Sequence, residues 1–151
     1  MSAVTIDPSI EACQALVAQI NAGTAYVLAV AATYSEEIID PLEEVDSLRV
    51  DVATDESETL NETLDVENRT SHLIRVWIRS KVDDVENVTI NQLKRLVRQI
   101  FQRINNFNST SGRVRVWACD QDLKQNPDND LVRESGLFVS SILLRVEVEA
   151  A

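Results

Sequence analysis

Residues 89–104 encode an amphipathic helix, and a helix with a single apolar face has to be packed against another element. Thr89 and Gln92 have the spacing of a capping box, in which each side chain bonds a free backbone N–H at the start of the helix. Apolar residues then recur at steps of three and four, which places them on one helical face. They are Leu93, Leu96, Val97, Ile100, Phe101 and Ile104. We therefore predict a helix whose inner face is buried.

Five segments have the β-rich or alternating pattern of strands. They are Ala25–Tyr34, Leu48–Val52, Arg69–Lys81, Arg113–Cys119 and Leu137–Glu149. In the second segment, Arg49 and Asp51 are expected on the polar side, and in the third, Arg75 and Arg79 are expected there. The spacing of the second and third segments predicts an antiparallel pair.

A second, shorter helix is predicted near the N-terminus, from Pro8 to Ile20. Asp7 is a capping residue, Pro8 suits the first helical position, and Asn21-Ala22-Gly23 has the chemistry of a C-terminal cap. With the strands, these helices give the order αβββαββ. We predict an α+β fold that forms one domain over residues 1–151, with two helices packed on a mostly antiparallel sheet.

Charge is divided unevenly along the chain, whose net charge is −11. Glu36 to Glu67 contains 13 carboxylates and one basic residue, whereas Arg69 to Arg115 contains 10 basic residues and three carboxylates. Net negative charge argues against general nucleic-acid binding. The division predicts either two complementary surfaces or a solvated acidic arm without a partner. The arm itself is predicted at about residues 55–69.

The two charged regions are candidates for a contact between subunits. If copies form a ring, the acidic arm of one copy can dock on the basic helix of the next, which is a head-to-tail contact. Charge would steer this assembly, while Leu60, Leu64 and Val66 would provide affinity. The predicted interface residues are Asp55, Glu56, Glu58, Leu60, Glu62, Leu64, Glu67, Lys94, Arg95, Arg98 and Arg103.

Residues for catalysis, cofactors or metal are not clustered in the sequence. His72 is the only histidine, and Cys13 and Cys119 stand apart from each other and from it. Three glycines are too few for a phosphate-binding loop. No apolar run reaches the roughly 18 residues of a membrane span, and no signal peptide is evident. We expect no catalytic, cofactor-binding or metal site, no membrane contact and a soluble intracellular product.

The order of these parts resembles the tail terminator, or tail completion, proteins of long-tailed bacteriophages. The resemblance covers nearly the whole chain: a short helix, an Ala-rich strand, an acidic stretch ending in DPLEEVDSLRVDVA and a long polar loop lead to a basic segment. The helix NQLKRLVRQIFQRI follows, and VRVWACDQDLKQNPDNDLVRESGLFVSSILLRVEVE closes the chain with two strands around a Pro/Asp loop.

This resemblance implies a structural, non-enzymatic virion protein. Such proteins form a hexameric ring that ends the tail tube and faces the head connector. The expected partners are further copies of this chain, the tail tube protein and the head-closure or connector protein. DNA would pass through the central channel without specific binding, and acidic walls would repel its phosphates. The expected location is the tail or neck of the virion, and the host cytoplasm during assembly.

Three other functions fit parts of the sequence. A head-closure (stopper) or other neck protein also forms a ring, although such proteins more often have an all-β core. An acidic monomeric inhibitor would imitate the charge of DNA, but its carboxylates would be spread over the whole surface. A small α+β enzyme would need a polar constellation of side chains that the sequence does not offer.

Overall fold

Two helices lie on one face of a sheet in the computed structural model of the chain, which describes residues 7–36, 45, 47–54, 63–64, 69–82, 89–109, 112–120 and 136–149. In chain order the elements are α1 (Pro8–Asn21), β1 (Ala32–Tyr34), β2 (Arg49–Thr54), β3 (Thr63–Leu64), β4 (Arg69–Lys81), α2 (Ile90–Ile104), β5 (Val114–Asp120) and β6 (Leu137–Glu149). The predicted α+β class is confirmed. The order αβββαββ agrees with these elements apart from the additional two-residue strand β3.

The sheet is mostly antiparallel, as predicted. Its strands are ordered β1-β2-β4-β6-β5, and β3 pairs separately with the start of β4. The pair of β4 and β6 is the longest and runs without a break from Arg69 opposite Glu149 to Lys81 opposite Leu137. Only β1 runs parallel to its neighbour among the described strands. The predicted antiparallel pairing of β2 with β4 is confirmed.

Helix α1 begins where the sequence predicts. The Asp7 carboxylate accepts hydrogen bonds from the backbone N–H of Ser9 at 2.9 Å and from the Ser9 hydroxyl at 2.7 Å. Pro8 occupies the first turn, where its missing N–H removes no helical hydrogen bond. The face of α1 that meets the sheet is fully buried. It contains Ala12, Cys13, Leu16 and Ile20.

The helix ends within the predicted cap Asn21-Ala22-Gly23, although its backbone is not left-handed there. Ala22 ends the helix with right-handed backbone angles, and Gly23 does not adopt a positive φ. Gly23 instead lies against Tyr26, where an added Cβ would come within 2.6 Å of the phenol oxygen. The Tyr26 hydroxyl donates to the backbone carbonyl of Ile20 at 2.8 Å. Any side chain at position 23, including that of alanine, would therefore displace the Tyr26 ring.

Helix α2 has the predicted capping box. Thr89 Oγ1 accepts from the Gln92 backbone N–H at 3.2 Å, and Gln92 Oε1 accepts from the Thr89 backbone N–H at 3.0 Å. Five of the six predicted apolar residues are buried, and Phe101 is half-buried against them. Because both helices bury one face against the same side of the sheet, they share a single apolar core with strand residues such as Ile74, Val76 and Ile142.

The strand predicted over Ala25–Tyr34 is wrong for most of its length, because β1 contains only Ala32–Tyr34. Residues before it bond to side chains of the helices. Gln99 accepts from the Val27 backbone N–H at 2.8 Å and donates to the Ala25 carbonyl at 3.2 Å. Asn21 bonds both backbone groups of Ala32. Side-chain amides therefore satisfy polar groups that a strand partner would otherwise bond.

Asp51 and Arg79 lie on the predicted polar side of the sheet, yet both are buried. Both lie on the sheet face opposite the helices, as the alternation requires, but only 2% of Asp51 and 1% of Arg79 is exposed. Arg79 Nη2 donates to Asp51 Oδ2 at 2.9 Å, and the Thr33 hydroxyl donates to Asp51 Oδ1 at 2.9 Å. The second face of the sheet thus holds a buried ion pair.

Candidate functional site

The outer face of α2 carries a cluster of basic side chains. Lys94, Arg95 and Arg98 are all exposed, as the sequence predicts. The helix contains no acidic residue. Lys94 and Arg98 are four positions apart, so their like charges lie one above the other on the helix surface and repel each other. These charges therefore do not stabilise the helix by themselves.

Neutralising partners for these cations are absent from the part of the chain that the structure describes. The ion pairs seen there join Arg49 and Arg79 to Asp51, and Arg113 to Glu11. None involves α2. The outer face of α2, defined as Asn91, Lys94, Arg95, Arg98 and Gln102, is therefore an exposed cationic surface on a chain of net charge −11. This contrast makes it a candidate site for an acidic partner.

Arg103 differs from the other three predicted basic residues. It is exposed, but its Nε donates to the backbone carbonyl of Gln19 at 3.0 Å. The Gln19 side chain in turn donates to the backbone carbonyl of Arg103 at 3.2 Å. These reciprocal hydrogen bonds join the C-terminal parts of α1 and α2. The sequence gives no signal for this role, because both partners accept through main-chain carbonyls.

An open cleft of about 520 Å³ adjoins the C-terminal half of α2. One wall is the segment from Ala22 to Tyr26 that follows α1, and the other wall consists of Gln99, Gln102 and Arg103. The hydrogen bonds of Gln99 to Ala25 and Val27 hold the two walls together. The cleft combines an aromatic ring and small apolar residues with amide and guanidinium donors, which suits a chain that presents both apolar and acidic groups.

Most of the predicted acidic half of the interface lies outside the described residues. This applies to Asp55, Glu56, Glu58, Leu60, Glu62 and Glu67. Leu64 is in β3 and is paired with Arg69, which ties the end of the predicted arm to the start of β4. Strand β2 ends with Thr54 opposite Ile74, and β3 begins with Thr63 opposite Thr70. The chain between Thr54 and Thr63 therefore contains more residues than the part of β4 between their two partners.

The remaining titratable groups do not form a reactive centre in the described part of the chain. Burial raises the pKa of the Cys13 thiol to about 12, so it stays protonated at neutral pH and is a poor nucleophile. His72 lies 2.7 Å from the Thr70 hydroxyl through Nε2, and burial lowers its pKa. The described residues contain no group of three or more side chains placed to hold a metal ion.

Comparison with protein-family models gives no match, and comparison with curated protein sequences gives no significant match. Neither helix in the described residues combines the length and the apolar character needed to cross a membrane. The outer face of α2 and the adjoining cleft are therefore selected as the candidate site on geometry and charge alone.

Proposed function

We propose that this chain is a structural protein of a bacteriophage virion, whose copies form a ring that ends the tail tube and joins it to the head connector. The observation that supports this proposal is the order of the elements. A capped N-terminal helix, the antiparallel strands β2 and β4, a basic amphipathic helix and the two closing strands β5 and β6 occur in the order on which the resemblance to tail terminator proteins rests. The bounds of α1, β4, α2 and β6 agree closely with those predicted from sequence.

Ring closure needs two different surfaces on each copy, because a head-to-tail contact repeats around an axis. The cationic outer face of α2 is suited to be one of them. The acidic segment between β2 and β4 carries the opposite charge and belongs to the same chain. This segregation of charge within one sequence supports assembly of like copies over the action of a monomeric inhibitor, which would present carboxylates on every side.

The overall acidity of the chain supports a ring around a DNA channel. Negative walls repel phosphate, so DNA can pass without being retained. In this function the protein acts on no substrate and holds no cofactor. Its partners are further copies of itself, the tail tube protein and the head-closure or connector protein.

Light scattering over a range of protein concentrations, combined with negative-stain imaging, tests the proposal. We expect closed rings of about six copies, the number that the resemblance implies. Added to isolated tail tubes, the protein should cap one end and stop further growth. Binding to DNA-filled heads without capping of tubes would instead identify a stopper. A chain that stays monomeric both alone and with tubes would contradict the proposal and favour an inhibitor.

A further inference from the structure

We propose that the outer face of α2 and the adjoining cleft bind the acidic segment 55–67 of a second copy of this chain. This inference deepens the proposed function, on which it rests for its place in a ring. The segment DESETLNETLDVE contains six carboxylates and no basic residue. The helix face offers three exposed cations that no described carboxylate neutralises.

The spacing of charges on the two partners agrees. Residues four apart in a helix are separated by a rise of about 6 Å, which applies to Lys94 and Arg98. Alternate residues of an extended chain are separated by about 6.6 Å and point the same way. Glu56 and Glu58 have this alternate spacing. An extended segment running along α2 can therefore place one carboxylate on each cation.

The cleft provides a place for the next residue of the same alternation. Gln102 lies one further step of four beyond Arg98 and is part of the cleft wall. On the segment, Leu60 is the next alternate residue after Glu58, and Glu62 follows it. In this register, the proposal assigns Leu60 of the second copy to the cleft that Tyr26 lines. The ion pairs then set orientation and rate of encounter, while burial of the leucine supplies affinity.

The positions of the helices explain why the segment comes from a second copy. The chain enters the segment from β2 and leaves it through β3 and β4. Helix α1 packs most closely against β1 and β2 and also contacts β4, β5 and β6, whereas α2 packs against β5 and β6 at the other edge of the same sheet face. Within one copy, α1 therefore lies between β2, from which the segment leaves, and α2. A neighbouring copy can present its segment directly.

A peptide of residues 55–67 tests the contact without requiring ring formation. The acceptor is the full-length chain carrying Glu56→Lys, Glu58→Lys and Glu62→Lys, whose own segment cannot compete. We expect the peptide to bind at about 0.01 M salt and to bind more weakly at about 1 M, where the Debye length falls from about 30 Å to about 3 Å. NMR chemical-shift changes should be centred on α2 and the segment from Ala22 to Tyr26.

Substitutions on each partner test the assigned register. Lys94→Gln with Arg98→Gln in the acceptor should weaken peptide binding by about tenfold or more, and neutral residues at these positions do not attract the acceptor's own lysine-bearing segment. A peptide with Leu60→Asp should lose the shifts in the cleft. The matched control is Lys81→Gln with Arg145→Gln, two exposed cations on β4 and β6, which should leave binding unchanged. Circular dichroism melting of each acceptor establishes that its fold is retained.

Two results would overturn the inference: no binding of the peptide at low salt, or equal binding by the Lys94→Gln/Arg98→Gln acceptor and the control. A DNA duplex that binds more tightly than the peptide, and loses binding with the same substitutions, would identify α2 as a nucleic-acid surface and also overturn it. Rings of the wild-type chain without peptide binding would leave the proposed function intact. Peptide binding by a chain that never caps tubes would contradict only the proposed function.

Discussion

At the residue scale, the buried pair of Asp51 and Arg79 has the greatest consequence for stability. Two buried charges lose favourable solvation free energy, which their mutual attraction only offsets while both are present. Removing one partner leaves the other charge unpaired in the low-dielectric interior. We expect Asp51→Ala to lower the free energy of unfolding by about 3–5 kcal/mol. Urea denaturation followed by circular dichroism measures this change.

Arg49 on the same strand is the matched control for Asp51→Ala. The Arg49 side chain is 52% exposed and lies 3.8 Å from Asp51, so its ion pair is weak. Arg49→Ala should leave the unfolding midpoint nearly unchanged. If the two substitutions had equal effects, the ion pair of Asp51 with Arg79 would not contribute to stability as its burial indicates.

His72 gives the stability of the protein a pH dependence of defined sign. Burial lowers its pKa in the folded state below the ordinary value of 6.5, and the nearby Asp7 carboxylate only partly opposes this. Below pH 6.5 the unfolded chain therefore binds more protons at this residue than the folded chain does. The stability contributed by neutral His72 is complete above pH 6.5 and falls as the pH drops towards the folded-state pKa.

The variant His72→Gln tests this pH dependence, because glutamine retains a polar group near Thr70 but does not titrate. We expect the wild type to lose stability relative to the variant as the pH falls from about 7.5 to about 5.5, because only the wild type has a histidine that must stay neutral in the folded state. The side-chain hydrogen bond with Ser9 lowers the pKa of Asp7. The stability that the Asp7 carboxylate contributes is therefore lost only at a pH more acidic than the range in which His72 titrates. A difference that stays constant would contradict the assignment to His72.

Sequence patterns identified residues whose role depends on near neighbours and missed those that depend on the tertiary fold. The caps at Asp7 and Thr89 follow from two or three adjacent residues, and both are confirmed. Asp51 and Arg79 were correctly assigned to one side of the sheet. Their burial could not be predicted, because alternation shows which residues share a face but not whether that face is covered.

At the element scale, α2 owes its position to its apolar face. Leu96 is fully buried, whereas Arg95 beside it is exposed. Truncating Leu96 removes apolar contacts and leaves a cavity in the core between α2 and the sheet. We expect Leu96→Ala to lower the unfolding free energy by about 2–5 kcal/mol, and Leu96→Asp to prevent folding.

Thermal unfolding of Leu96→Ala and Arg95→Ala measures the effect of this face separately from helix propensity, since both substitutions introduce alanine at adjacent positions. Arg95→Ala should unfold at the wild-type temperature. A wild-type melting temperature for Leu96→Ala would mean that the inner face of α2 is wrongly assigned.

Long elements were predicted more accurately than short ones for a physical reason. The predicted bounds of β4 and β6 are confirmed, because each strand contains a run of alternating residues long enough to define its period. The segment Ala25–Tyr34 is apolar on both alternations and therefore has no period to distinguish a strand from a packed irregular segment. Its backbone is satisfied by Gln99 and Asn21, which lie elsewhere in the chain.

At the scale of the whole molecule, the candidate site combines one part that the sequence predicts with one part that it does not. The exposed cations of α2 follow from helical periodicity, because they fall opposite the apolar face. The cleft depends on how the segment after α1 meets α2, and on Gln99 in particular. No local pattern encodes that contact, since its two sides are more than seventy residues apart.

Ring assembly should depend on the charge of the acidic segment in a way that salt reveals. Replacing Glu56, Glu58 and Glu62 with Lys reverses half of the six carboxylates of residues 55–67. We expect this variant to assemble less than wild type, with a larger deficit at about 0.01 M than at about 1 M salt, because screening already weakens exposed pairs at high salt. Light scattering at matched protein concentrations measures the assembled fraction, with isolated tail tubes as nuclei if the free chain is monomeric.

The control for net charge is Glu36→Lys with Glu37→Lys and Glu43→Lys, which changes the total by the same amount outside residues 55–67. If reducing the negative charge of the chain governed assembly, both variants would assemble more readily than wild type, because copies would repel each other less. If the segment docks on α2, only the Glu56, Glu58 and Glu62 variant loses assembly, and adding Lys94→Glu and Arg98→Glu to it restores part of the loss. If assembly recovers when the charges of the segment and of α2 are both reversed, the two surfaces attract each other directly. General repulsion between copies would not predict this recovery.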